Sequence, residues 1–130
     1  MYLLHLISLG GHYMYLLLDE PSFTLQTTLV MEVGFNEAFL LQHLHYRSLI
    51  SKNVRDGYKW VYKTYEDWKE EIPFWSLNKI RRTIYSLESQ GYLISNSSYN
   101  KMKIDRTKWY RVDYTKPIFQ IQNGTVDVSD

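Results

Sequence analysis

Thr64-Tyr65-Glu66-Asp67-Trp68-Lys69-Glu70-Glu71-Ile72-Pro73-Phe74-Trp75-Ser76-Leu77-Asn78-Lys79 contains two helix starts back to back. Thr64 can cap the first with its hydroxyl, and Glu66 and Asp67 place negative charge at the positive pole of the helix dipole. Pro73 drives Ile72 out of the helical region and ends that helix. Ser76 is again a good cap, yet the turns after it run Leu77-Asn78-Lys79-Ile80-Arg81-Arg82 and set three cations at the pole that favours acids. Each forfeits about 0.3–1 kcal/mol against an acidic residue. Such a local cost makes sense where an external anion docks on that helix end. Nucleic acid is the obvious polyanion.

On the C-terminal side, a helix over residues 76–90 buries a stripe of Leu77, Ile80, Ile84 and Leu87 and closes at Gln90-Gly91. Its opposite face offers Asn78, Lys79, Arg82, Tyr85, Ser86 and Ser89, with Arg81 at the border. Residues 92–95 and 108–114 alternate as two strands. The polar, basic connector between them carries Asn100, Lys101, Lys103 and Arg106. On the N-terminal side, Phe23, Leu25, Leu29, Val30 and Val33 fit a short helix over residues 21–33 that ends at Gly34. Asn36 opens a central buried helix to about residue 50, apolar almost all round. Residues 51–57 are expected to be a polar loop with an Asp56-Gly57 turn, and residues 58–62 a short aromatic strand.

Helices, a tight helix pair and then a basic hairpin predict an α+β fold, mainly α with a small β-hairpin. The expected architecture is a winged helix-turn-helix, with the turn at 72–76 inside the reading unit and the hairpin as the wing. Residues 21–116 form this domain, residues 1–20 an N-terminal extension and residues 117–130 a flexible tail. The Gly10-Gly11-His12-Tyr13-Met14 run is what GGAGGT, a short spacer and ATG would encode, so residues 1–13 are expected to be an upstream translation artefact with Met14 as the natural start. The alternative is a short helix or strand packing on the domain.

The chain has 130 residues, 45% of them apolar and 16% aromatic, enough for one core. The formal charge of +1 hides a division: residues 76–111 hold eight Lys/Arg against two acids, a net +6, and the remainder is net −5. A basic half marks where nucleic acid would lie. There is no cysteine, which excludes disulfides and thiolate metal sites and suits a reducing cytoplasm. The apolar start lacks a positive n-region and is far too short to span a membrane. His43 and His45, two apart on a helix, face different ways and are expected to pack at the core edge, not to share a metal. With no glycine-rich phosphate loop, HExxH or nucleophile elbow, neither an enzyme nor a cofactor is expected.

The chain resembles phage and plasmid replication proteins with an N-terminal winged helix, related in style to primosomal DnaD-like and replisome-organizer proteins. The matching stretches are Gly34-Phe35-Asn36-Glu37-Ala38, Leu41-Gln42-His43-Leu44-His45-Tyr46, Asp56-Gly57-Tyr58-Lys59-Trp60-Val61-Tyr62, Trp68 to Ser76, Ile80-Arg81-Arg82-Thr83-Ile84, and Tyr99-Asn100-Lys101 with Asp105 to Tyr110. The resemblance implies a role in replication initiation or its control, through double-stranded DNA. Because many such proteins continue into a second domain, this chain is expected to act as a stand-alone DNA-binding protein or regulator.

In that reading the first half of the 76–90 helix enters the major groove. Ser76 caps it, Asn78, Lys79 and Arg82 reach base edges with Arg81 beside them, and Tyr85 and Ser86 touch sugar or phosphate. Asn100, Lys101, Lys103 and Arg106 on the wing supply affinity, not sequence choice. The competing view is a solvated face paired with Glu70, Glu71 or Glu88. Trp60, Trp68, Trp75 and Trp109 could stack unpaired bases, but their positions point to the core, least firmly for Trp75. A homodimer through the N-terminal helices is expected from half-site symmetry. On the same fold the alternatives are a transcriptional regulator or a protein-interaction module that inhibits or adapts a host machine, including the replisome.

Overall fold

A computed structural model describes residues 6–9, 12–15, 17–100 and 106–122, with side chains for 17–100 and 106–120. In chain order the elements are strands β1 (Leu6–Leu9) and β2 (His12–Tyr15), helices α1 (Thr27–Val33) and α2 (Phe35–Leu49), and strands β3 (Asn53–Arg55) and β4 (Tyr58–Lys63). Helices α3 (Tyr65–Glu71) and α4 (Leu77–Gln90), strands β5 (Leu93–Asn96) and β6 (Lys108–Val112), and helix α5 (Pro117–Gln122) follow. The fold is α+β. β1 and β2 pair only with each other, whereas the remaining strands form one antiparallel sheet in the order β3-β4-β6-β5.

The sheet is larger than the single hairpin expected. β5 and β6 pair as predicted, Leu93 opposite Val112 and Asn96 opposite Trp109. β6 also pairs with β4, Val61 opposite Tyr110 and Lys63 opposite Lys108. The segment expected to be a loop at 51–57 contributes β3, joined to β4 through Asp56 (φ 55°) and Gly57 (φ 82°). Positive φ at both central residues is the geometry of a two-residue hairpin turn whose twist matches the strands. Asn53-Val54-Arg55 carries no apolar alternation because it is an edge strand, where charged and polar side chains discourage further pairing.

Alternation along β4 and β6 sends Val61, Tyr110 and Val112 to one face, where they pack with Leu40, Leu41 and Leu44 of α2, Trp68 of α3, and Ile80, Ile84 and Leu87 of α4. Each large side chain fully buried there contributes about 1.5–3 kcal/mol. α2 is buried on one side only: Phe35, Tyr46 and Leu49 are exposed. It begins after Gly34 and not at Asn36, and no side chain caps it. α1 is shorter than the expected 21–33. Residues 21–26 are not helical because Phe23 is drawn against Phe39 and Phe74, with centroids 4.7 and 5.7 Å away.

At the other end, residues 117–122 are helical where a flexible tail was expected, and Ile118 and Phe119 pack on the core. Pro117 stands at the first helical position, where its missing N–H costs nothing. The rest of the predicted tail, residues 123–130, lies outside the described residues, as do residues 1–5 of the extension. Among the described residues, no helix is long and apolar enough to cross a membrane.

Candidate nucleic-acid interface

The two helix starts that decide the fold are built differently. Thr64 Oγ1 accepts from the Asp67 backbone N–H at 3.1 Å while Asp67 Oδ2 accepts from the Thr64 N–H at 2.9 Å, a full capping box. Ser76 Oγ accepts from the Lys79 N–H at 3.1 Å, and no acid occupies the first turn of α4. The connection between the helices is held by Lys69, whose ammonium donates to the carbonyls of Pro73 (2.9 Å) and Trp75 (2.6 Å). These bonds aim the start of α4.

Asn78, Arg81, Arg82 and Tyr85 are exposed along one side of α4, with Tyr85 71% exposed. Lys79 is half-buried, its ammonium 4.8 Å from the Trp75 ring centroid. Ser86 is half-buried too, its hydroxyl 3.2 Å from the Gln90 amide nitrogen. Arg81, placed at the border by helical spacing, is exposed, with its guanidinium 4.9 Å from the centroid of Tyr65. The Lys108 ammonium of β6 approaches that same ring at 5.9 Å. A cation from the helix and one from the hairpin therefore share a single aromatic support.

The carboxylates that could have neutralised this face are occupied elsewhere or stand apart. Glu71 forms ion pairs with Lys63 and with Arg47 (3.7 Å) and a hydrogen bond with His43 (2.7 Å). Burial pushes its carboxyl up, but hydrogen bonds from His43 and Lys63 and the charges of Lys63 and Arg47 pull it down to about 2. Glu88 accepts from the Ser95 hydroxyl. Among the described residues neither Lys79, Arg81 nor Arg82 makes an ion pair.

On the hairpin, Arg106 is exposed, while Lys101 and Lys103 lie outside the described residues. Asn100, expected as a nucleic-acid contact, is engaged within the protein. Its amide nitrogen donates to the Thr107 carbonyl at 2.5 Å and its carbonyl accepts from the Trp109 indole N–H at 2.9 Å, so both ends of the amide tie the base of the connector together.

All four tryptophans are buried, including Trp75 at 6% exposure against Phe39. Trp60 and Trp109 nevertheless stand apart from the main core, on the other face of the sheet. His43 and His45 take separate partners, Glu71 and Tyr114. Burial lowers the pKa of His45.

Sequence spacing missed Tyr65, Lys108 and Lys69. The β4–β6 register, which puts Lys63 opposite Lys108 two residues before Tyr65, was the signal for the first two, but it is a long-range pairing. Compared with protein-family models, with curated proteins and with solved structures, the chain finds no match in any of the three.

Proposed function

We propose that this protein is a winged helix-turn-helix module that binds double-stranded DNA through the exposed side of α4 and the basic β5–β6 hairpin. The order α2, β4, α3, α4, β5, β6, with β6 lying between β4 and β5, supports that architecture. α3 and α4 act as the reading pair, and the hairpin acts as the wing. Asn78, Arg81 and Arg82 address base edges and the adjoining phosphates, Tyr85 the sugar-phosphate backbone, and Lys108 and Arg106 the flanking backbone. Following the resemblance, the role is replication initiation or its control in a phage or mobile element, in the cytoplasm, as a homodimer and without a chemical step of its own.

The observation that carries this reading is the convergence of Arg81 and Lys108 on the Tyr65 ring with no carboxylate paired to either among the described residues. Aromatic rings hold cations in place without neutralising them, which leaves the charge for phosphate.

The test is duplex binding measured across a salt series for the wild type, for R81A/R82A and for K101A/K103A. The wing pair should lower affinity and flatten the salt slope by about 1 for each phosphate no longer neutralised. The helix pair should do the same and also blur sequence preference. Binding that ignores both pairs, or that shows no salt dependence, overturns the reading.

A further inference from the structure

The face of the sheet turned away from α2, α3 and α4 carries a second cluster that duplex binding by α4 does not use. Strand alternation and register put Arg55, Tyr58, Trp60, Tyr62, Trp109 and Arg111 on it together. The Arg111 guanidinium lies 3.7 Å from the Tyr58 ring centroid and that of Arg55 lies 5.1 Å from Trp109. Tyr62 packs on Trp109 at 5.2 Å, and Tyr99 crosses from the connector to meet Trp60 and Trp109 edge-on at 5.4 and 5.3 Å. Both indoles are covered by these neighbours, whereas Tyr58 and Tyr62 remain about half exposed.

Neither Arg55 nor Arg111 makes an ion pair among the described residues. Of the two nearby carboxylates, Asp56 accepts from the Tyr99 hydroxyl and Asp113 from the Thr115 hydroxyl at 2.6 Å, while the Arg111 charge also helps to lower the Asp113 carboxyl. Arg111 Nε is buried and has no hydrogen-bond partner. Aliphatic surface is scarce, with Ile94 half-buried between Arg111 and the sheet edge, so the face lacks the apolar centre that a protein partner would need. Arg55 donates to the Val54 carbonyl at 2.8 Å, yet neither guanidinium is in an ion pair, and exposed rings beside such cations match a different ligand, one that alternates flat π-faces with phosphates.

We propose that this sheet face binds single-stranded DNA, with unpaired bases stacking on Tyr58 and Tyr62 and phosphates meeting Arg55 and Arg111. The two tyrosines are four residues apart on one strand, about 13 Å along it, so they engage different bases of one strand. The choice of DNA over RNA rests on the duplex reading of the opposite surface. A protein that holds duplex on α4 and an unpaired strand on the sheet would stabilise a locally opened site.

The experiment follows the anisotropy of a fluorescent oligothymidine on the full chain, with oligouridine and a random duplex as competitors, for the wild type, Y58A/Y62A, R55Q/R111Q and R81A/R82A. Oligothymidine should bind, each tyrosine removed weakening it about tenfold or more. R55Q/R111Q should weaken it and flatten its salt slope, which keeps the test decisive if the tyrosine variant folds poorly. R81A/R82A should retain oligothymidine binding even as duplex binding falls. Absence of oligothymidine binding by the wild type beside intact duplex binding overturns this inference alone. Loss of duplex binding by the wild type with oligothymidine retained overturns the duplex reading alone. Oligouridine binding as tight as oligothymidine, or oligothymidine binding that depends on Arg81 and Arg82 but not on Tyr58 and Tyr62, also overturns the inference.

Discussion

Arg81 of α4 rests its guanidinium 4.9 Å from the ring centroid of Tyr65, the first residue of α3, so the two helices are coupled through a cation and a ring. An exposed pair of this kind is worth about 0.5–1 kcal/mol. In Y65L the cation persists but loses its alignment. Duplex affinity should fall about two- to fivefold with an unchanged salt slope, whereas R81A should lower the slope by about 1. Anisotropy titrations at four salt concentrations separate the two. A slope change in Y65L would mean that the ring does more than orient the charge.

Glu71 joins α3 to β4 and α2 by accepting from Lys63 and His43, and Lys63 is only 4% exposed. The Glu71 carboxyl falls from its ordinary 4.5 to about 2 in the folded chain. A depressed carboxyl contributes stability that is fully present above the unfolded value and is lost as pH falls through the folded one. The window is therefore pH 4.5 down to 2. Because the group is partly solvated, screening limits the contribution to about 1–2 kcal/mol. Urea melts of the wild type and E71Q should differ by that amount at pH 6 and converge on acidification. A constant gap would assign the loss to packing.

Gly34 ends α1 and starts α2 at φ 110°, ψ 159°, a region open essentially to glycine alone. A Cβ there would come within 2.5 Å of Glu37 Oε1, the movable end of a flexible side chain, and one on Gly57 would meet nothing within 4 Å, so backbone conformation sets the order of the two. G34A should cost about 1–3 kcal/mol and G57A about 1 kcal/mol. Denaturant melts of the two variants test this order, and a milder effect at Gly34 would contradict the backbone geometry.

The helix pair was legible because its signals are local. Thr64 and Ser76 both cap, and Gly91 closes α4 with its N–H on the carbonyls of Leu87 and Glu88. Ile80, Ile84 and Leu87 are buried at the spacing their positions predict. What escaped has two causes. Asn53-Val54-Arg55 pairs with β4 across a two-residue turn but carries no apolar alternation to mark it, whereas residues 117–122 become helical because Ile118 and Phe119 find a core distant in sequence. The same limit applies to the candidate site. Helical spacing separated the faces of α4 but could not show that Trp75 draws Lys79 inward or that Tyr65 lies under Arg81.

Asn100 gives the sharpest case, because its place on the wing suggested a contact that adds affinity and its geometry makes it a brace. Its carbonyl is the acceptor for the Trp109 indole N–H, and Trp109 is 8% exposed. N100A would strand that donor in a buried position, at a cost of about 1–3 kcal/mol. Replacing the donor as well removes the stranded group, so W109F should cost less in the N100A background than in the wild type, a coupling that a double-mutant cycle on denaturant melts resolves. As a brace at the foot of the hairpin, Asn100 should affect all duplex sequences alike: N100A should lower affinity without changing the preferred site in a selection from random duplexes. A shifted preference would make Asn100 a base contact, and additivity in the cycle would mean that the indole finds another acceptor.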